Sequence, residues 1–255
     1  MPRRRNNRGL ELGVLLLISE MMNVGITTIP RVTFLTILGQ VLLYIGIIKP
    51  PWDKWDVCIS SEKVLNHREY KRLIFSVFEH GDDMHLYYNM ISYMVKGRTL
   101  ENRYGSSNYT FFLAVISLAT SIMYIFLAKC GAFIFDNPFY LQQCAIGFSG
   151  VIFALKVVTS GEEPFGNASV GGFVVPTRLA AWLELIMIHI LVPGASFMGH
   201  LAGILVGVLY CYTPFGYLTD SIISSLTGDC FVHHRSFYKS YQRSQVNGYQ
   251  NEYYF

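Results

Sequence analysis

Ser149, in Gly147-Phe148-Ser149-Gly150, and His200, in His200-Leu201-Ala202-Gly203, are residues of reactive type set within strongly apolar runs. A serine hydroxyl becomes a nucleophile when a neutral imidazole takes its proton. Polar groups are costly in hydrocarbon and mark functional sites there, so the pair predicts peptide-bond hydrolysis inside a membrane. His85 and Asn89, four residues apart, share one helix face and join the backbone N–H of Ser149 as candidate oxyanion donors. No Asp is spaced to complete a triad, so a Ser–His dyad is expected. Lys156 lies two turns deeper than Ser149, too deep for a Ser–Lys dyad, and is expected to snorkel toward the cytosolic interface. Glu79-His80 does not supply HExxH, and the spans hold no Asp pair, which argues against metallo- and aspartyl proteases. No metal and no cofactor is expected.

These groups need helices to hold them. Gly199, Gly203 and Gly207 recur at every fourth position and are answered by Gly150 and Ala154 on the other run, a pattern that lets membrane helices approach backbone to backbone. Phe153, one turn past Ser149, either stacks on the imidazole or packs as an ordinary core residue. Of the 255 residues 52% are hydrophobic and 15% charged; soluble domains carry roughly a quarter charged. The expected fold is an all-α polytopic membrane protein of six transmembrane helices. Uncharged runs at 32–48, 104–128 and 137–155, and 190–219 with His200 alone, are long enough to span. Two further spans, around 84–95 and 179–192, carry His85 and Asn89, and Glu184 and His189. Glu184 and His189 are read as interior hydrogen-bonding groups.

The domain organisation expected is a basic cytosolic tail over 1–9, a membrane domain over 10–215 and a flexible cytosolic tail over 216–255. Within the membrane domain, 10–29 is read as a helix lying partly in the interface, with a seventh span as the alternative, and 49–82 as an exoplasmic loop with Trp52 and Trp55 as anchors; 161–176 is a Gly-rich loop. Arg3, Arg4, Arg5 and Arg8, then Lys96, Arg98 and Arg103, then Arg235, Lys239 and Arg243 all fall on the cytosolic side of such a six-span chain, with both termini cytosolic. No small-residue cleavage site marks a removable signal. The sequons at Asn108 and Asn167 fall on the cytosolic side and are expected to be unmodified. The net charge of +3 implies no nucleic acid. Cys58, Cys130 and Cys144 gather on the exoplasmic side and are read as free thiols, with one disulfide among them as the alternative. Partners follow from this organisation: the lipid bilayer and transmembrane protein substrates.

The chain resembles the rhomboid family of intramembrane serine proteases over about residues 30–213. Arg72, His85-Leu86-Tyr87-Tyr88-Asn89, Gly97-Arg98-Thr99-Leu100-Glu101 with Gly105, Gly147-Phe148-Ser149-Gly150, and Gly199-His200 with Gly203 and Gly207 carry the resemblance. It implies Ser149 as nucleophile, His200 as base, His85 and Asn89 as oxyanion hole, and Glu101 as a brace at the cytosolic end. Where the family has a Trp-Arg pair in the first loop, this chain has Lys71-Arg72. The wording around His85 and Ser149 is similar to the rhomboid-related protein 4 subgroup, which implies residence in the endoplasmic reticulum and cleavage of unstable membrane proteins. Ubiquitin and p97 recruitment also belong to that subgroup, but residues 215–255 show neither motif. The competing function is a catalytically idle adaptor of the same fold that binds and hands on membrane substrates. Such relatives lack the Ser or His, or place Pro before the Ser; here position 148 is Phe and both residues are present.

Overall fold

The computed structural model describes residues 11–162, 166–192 and 194–229. The expected basic tail over 1–9, and Cys230, His233, His234 and the rest of the expected C-terminal tail, lie outside the described residues. Apolar runs fold as helices because a chain in hydrocarbon must satisfy its own amides. The helices that carry the structure are α1 (Leu12–Val24), α2 (Arg31–Tyr44), α3 (Asp83–Tyr104), α4 (Ser106–Ile134), α5 (Ser149–Glu162), α6 (Ala180–Leu191), α7 (Phe197–Tyr212) and α8 (Pro214–Thr227). Each expected span overlaps at least one of these helices, although α3, α4 and α5 run past the expected bounds. Among the described residues α4 alone is long and apolar enough to cross a membrane by length and composition; α7 and α8, bent by 78°, add a second if counted as one span.

Two polar anchors fix the ends of the bundle. At one end the Glu101 carboxylate accepts from the amides of Val32 (2.8 Å) and Thr33 (2.7 Å), from Thr33 Oγ1 (2.8 Å) and from Ser106 Oγ (2.7 Å). One buried carboxylate thus caps the start of α2 and ties it to the α3–α4 junction, giving a charged group the donors its burial requires. At the other end Gly13 N donates to Asp83 Oδ2 (2.9 Å), and Tyr44 Oη donates to Glu11 Oε2 (2.9 Å).

α1 therefore begins where α3 begins and α2 ends, and the chain has reached the Glu101 end by residue 32. It runs lengthwise along α3, with Val14, Leu17 and Met21 buried. That course supports the spanning alternative for 10–29, and Tyr44 satisfies Glu11 within the bundle. Residue 11 sits at the end where α3 starts, whereas α7 starts there and finishes at the Glu101 end.

Three other expectations change. The run 137–155 is not a continuous helix: Phe139–Gln142 forms a single turn, Ala145 bridges antiparallel to Ile59, and α5 begins only at Ser149. Gly147, at φ +116°, breaks any helical path into α5. The chain past 215 is not a loose tail from the outset, because Thr213 caps α8, Pro214 opens it, and Asp220 on its inner face accepts from Tyr210 Oη (2.6 Å). Lys156 does not run to the interface; it pairs with Glu184 of α6, which neutralises it in place. His189 instead packs against the Phe197 ring, 5.1 Å away. The Gly-rich stretch after α5 holds an antiparallel hairpin, Asn167–Val170 with Phe173–Pro176, turned by Gly171 and Gly172, both at positive φ.

The loop over 49–82 is built of the short helices Lys54–Val57, Ser61–Leu65 and Arg72–Phe75. Trp52 stacks on Phe75 (4.3 Å) and donates to Glu79, while Trp55 is exposed. Arg72, buried at 6% exposure, donates from Nη1 to the carbonyls of Cys58 (2.7 Å) and Trp55 (3.1 Å), and its Nε donates to Glu69 (2.7 Å). Cys58 and Cys144 form a disulfide with Cα atoms 5.5 Å apart, which overturns the free-thiol expectation for those two; Cys130 and Cys211 take no part in that bridge.

Candidate active site

α5 and α7 meet face to face at the centre of the bundle. A methyl group on Gly203 would collide with the Gly150 carbonyl, one on Gly150 would lie 2.8 Å from the Gly199 carbonyl oxygen, and one on Gly207 would lie 2.8 Å from that of Ala154. The small-residue stripe is therefore the contact itself, as its spacing predicted. It brings the first residue of α5 beside the first turn of α7. Ser196 caps α7 by accepting from Gly199 N (3.1 Å), and its carbonyl takes the His200 amide (3.1 Å). That cap fixes where the imidazole emerges, and its signal, Ser three residues before a helical Gly, was readable in the sequence.

Ser149 Oγ and His200 Nε2 stand 2.9 Å apart. His200 is buried, and the Phe153 ring lies over it with centroids 4.7 Å apart and planes 32° apart, so the stacking alternative for Phe153 holds. No carboxylate bonds to His200 among the described residues. A Ser–His pair in this geometry can move a proton from hydroxyl to imidazole.

α3 supplies a second pair of polar groups. Asp82 caps the helix through the His85 amide (2.8 Å), and His85 Nδ1 accepts from Gly81 N (3.3 Å). Because Nδ1 accepts from an amide, the proton of the neutral ring belongs on Nε2. That nitrogen faces Gly147: a Cβ there would sit 2.9 Å from His85 Nε2 and 3.5 Å from Asn89 Nδ2. Asn89 is buried, and its Nδ2 has no hydrogen-bond partner among the described residues. Two N–H donors thus point at the backbone beside Ser149, one of them waiting for an acceptor. His80 packs edge-on against His85 at 5.2 Å. Burial pushes the His80 imidazole well below its ordinary value, so it is neutral near pH 7.

A small cavity of about 40 Å³ opens beside Ser149, walled by Ile59, Ser76, Thr120, Tyr124, Ala145 and Gly199 among others. Apart from Gly199, sequence reasoning missed these residues. They are ordinary in type and come from separate stretches of the chain, so no local pattern marks them. Phe148 is buried edge-on against Tyr93 (5.0 Å), and the Gly147 amide donates to the Ser76 carbonyl (3.0 Å). Together these hold the turn that presents Ser149.

The family model for the rhomboid domain matches residues 67–217 of this chain, the part that holds Ser149, His200, His85 and Asn89. The chain belongs to the rhomboid family. Over 218 residues it is 42% identical to Rhomboid-related protein 4 of Rattus norvegicus, covering 86% of this chain and 68% of that protein. It is 38% identical over 250 residues to Rhomboid-related protein 4 of Homo sapiens, covering 98% of this chain and 78% of that protein. Rhomboid-type serine protease 2 of Gibberella zeae is 22% identical over 197 residues, 75% of this chain and 69% of that protein. The rhomboid family is membrane-embedded and includes serine proteases, which makes this helical bundle a membrane domain.

Proposed function

We propose that this protein is an intramembrane serine endopeptidase, with Ser149 as nucleophile and His200 as base, that cleaves transmembrane protein substrates near the end of the bundle where α3, α5 and α7 begin. The 2.9 Å Ser149–His200 contact carries the reading. A substrate segment unwinds at that end, and Ser149 Oγ attacks its carbonyl carbon as His200 Nε2 takes the hydroxyl proton. The oxyanion accepts from His85 Nε2–H and Asn89 Nδ2–H, donors already oriented before charge develops. His200 returns its proton to the leaving amine. Water, deprotonated by the same imidazole, then releases the acyl group from Ser149. With no carboxylate behind His200, packing against Phe153 takes over the orienting of the ring.

In this proposal α2 to α7 are the six crossings of the catalytic bundle, α1 crosses beside them, and the active-site end faces the lumen of the endoplasmic reticulum. A disulfide at that end fits an oxidising compartment. Substrates are then membrane proteins whose helices unwind readily, which ties the enzyme to quality control.

A fluorophosphonate probe applied to the chain in lipid membranes tests the assignment. Labelling of the parent, with none in Ser149→Ala and His200→Ala, is the expected result. Equal labelling of the parent and Ser149→Ala would discard the nucleophile. A folded parent that never labels would favour an idle adaptor.

A further inference from the structure

The Cys58–Cys144 bridge does more than join two distant segments. It lands five residues before Ser149, on a run with no helix of its own to hold it. That run borrows its shape from the loop and helix around it. Ile59 and Ala145 exchange backbone hydrogen bonds (2.8 and 3.0 Å), and Gly147 N donates to Ser76 O (3.0 Å). Ser60 Oγ donates to Leu141 O (3.0 Å), and Tyr124 Oη to Gln143 O (3.2 Å). Ile59 and Ala145, the residues following the two cysteines, both wall the cavity at Ser149. Whatever loosens the bridge therefore loosens one wall of the site and the turn leading to the serine.

The two sulfurs also differ in their surroundings. Cys144 is exposed, whereas Cys58 is buried at 3% exposure. Arg72 Nη1 lies 3.8 Å from Cys58 Sγ. A thiolate arriving from solvent reaches Cys144 Sγ. As the new S–S bond forms there, the Cys58–Cys144 bond breaks and its electron pair leaves on Cys58 Sγ as a thiolate beside the guanidinium. A leaving thiolate that is stabilised in this way departs faster. The second thiol of a dithiol then attacks the mixed disulfide and frees Cys144. In sum, two electrons and two protons pass from the dithiol to the pair, and the dithiol becomes a disulfide.

We propose that Cys58–Cys144 is a redox-controlled positioning tether: bridged, it holds residues 144–147 so that Ser149 and the oxyanion donors are aligned, and opened by a dithiol it releases them and slows hydrolysis. The activity part rests on the serine-protease reading above; the tether itself does not.

The test uses the full chain in lipid nanodiscs, oxidised, reduced with dithiothreitol, and then reoxidised, with the bridge followed by thiol alkylation and mass. Reduction is expected to speed hydrogen exchange of the Ala145 and Gly147 amides and to slow fluorophosphonate labelling of Ser149 by up to about 10²-fold, the scale of an ångström-level misplacement. Reoxidation restores both, and the Cys58→Ser/Cys144→Ser double variant stays slow whatever the redox state. Exchange and labelling unchanged on reduction would overturn the tether, as would a loss that reoxidation does not reverse. Exchange that responds in a parent that never labels would keep the tether and reject the protease.

Discussion

Gly147 is where the polar groups of α3 and the turn before α5 come closest. At φ +116° it holds a conformation that costs a side-chain-bearing residue about 1–3 kcal/mol. An added Cβ would lie 2.8 Å from His85 Cε1. Gly147→Ala is expected to push His85 off its line and cut the fluorophosphonate labelling rate by about 10²-fold, the usual scale for a lost oxyanion donor. Thermal unfolding near that of the parent would show that the bundle survives; labelling within twofold of the parent would remove His85 from the proposed oxyanion hole. His80, behind it, gives a pH signature. Its folded-state pKa lies below the ordinary 6.5, chiefly through burial. Stability from its neutral ring is therefore complete above 6.5 and is lost as pH falls below it, because the unfolded chain takes up a proton that the folded one refuses. The thermal midpoint is expected to drop between about pH 7 and about pH 5, and His80→Phe should flatten that drop; an unchanged slope would mean other groups set it. At this scale the sequence was most legible. Ser149, His200, His85 and Asn89 stood out because each is a polar group in an apolar run. The Cys58–Cys144 bridge did not, since three cysteines share one end of the chain's expected topology and spacing cannot choose among their pairings.

The contact between α5 and α7 was legible for a related reason: three glycines at every fourth position have few uses in a membrane helix other than close approach. Gly203→Leu tests it directly. The side chain would have to displace the Gly150 carbonyl, so the helices must part, at a cost of about 1–3 kcal/mol for an overpacked contact. The thermal midpoint is expected to fall and Ser149 labelling to fall with it, since the dyad spans these two helices; an unchanged midpoint would show that the close contact contributes little. Other elements resisted reading because tertiary partners decide them. Lys156 and Glu184 lie far apart in the chain, and nothing in the spacing of either marks the other as its partner. The run 137–155 is uncharged from end to end, yet Ala145 and Gly147 within it are held out of a helix by Ile59 and Ser76, and hydropathy cannot register that.

For the molecule as a whole, the helical class could be read from runs of apolar residues, but the bounds of the helices and the course of α1 could not. Charge alone puts Arg3 to Arg8 on the cytosolic side; the Gly13–Asp83 and Tyr44–Glu11 contacts put residue 11 at the active-site end. A glycosylation acceptor fused ahead of residue 11 is expected to be modified in endoplasmic reticulum membranes, while one placed after residue 229 is not. The reverse pattern would sink the lengthwise placement of α1 or the lumenal orientation of the site. At the opposite end, the 78° turn from α7 into α8 is locked by Tyr210 to Asp220 and by Thr227 to Asn108. Thr227 stands about 20 Å along α8 from the turn, at 1.5 Å per residue. α8 therefore ends to one side, against the start of α4, rather than straight beneath the dyad.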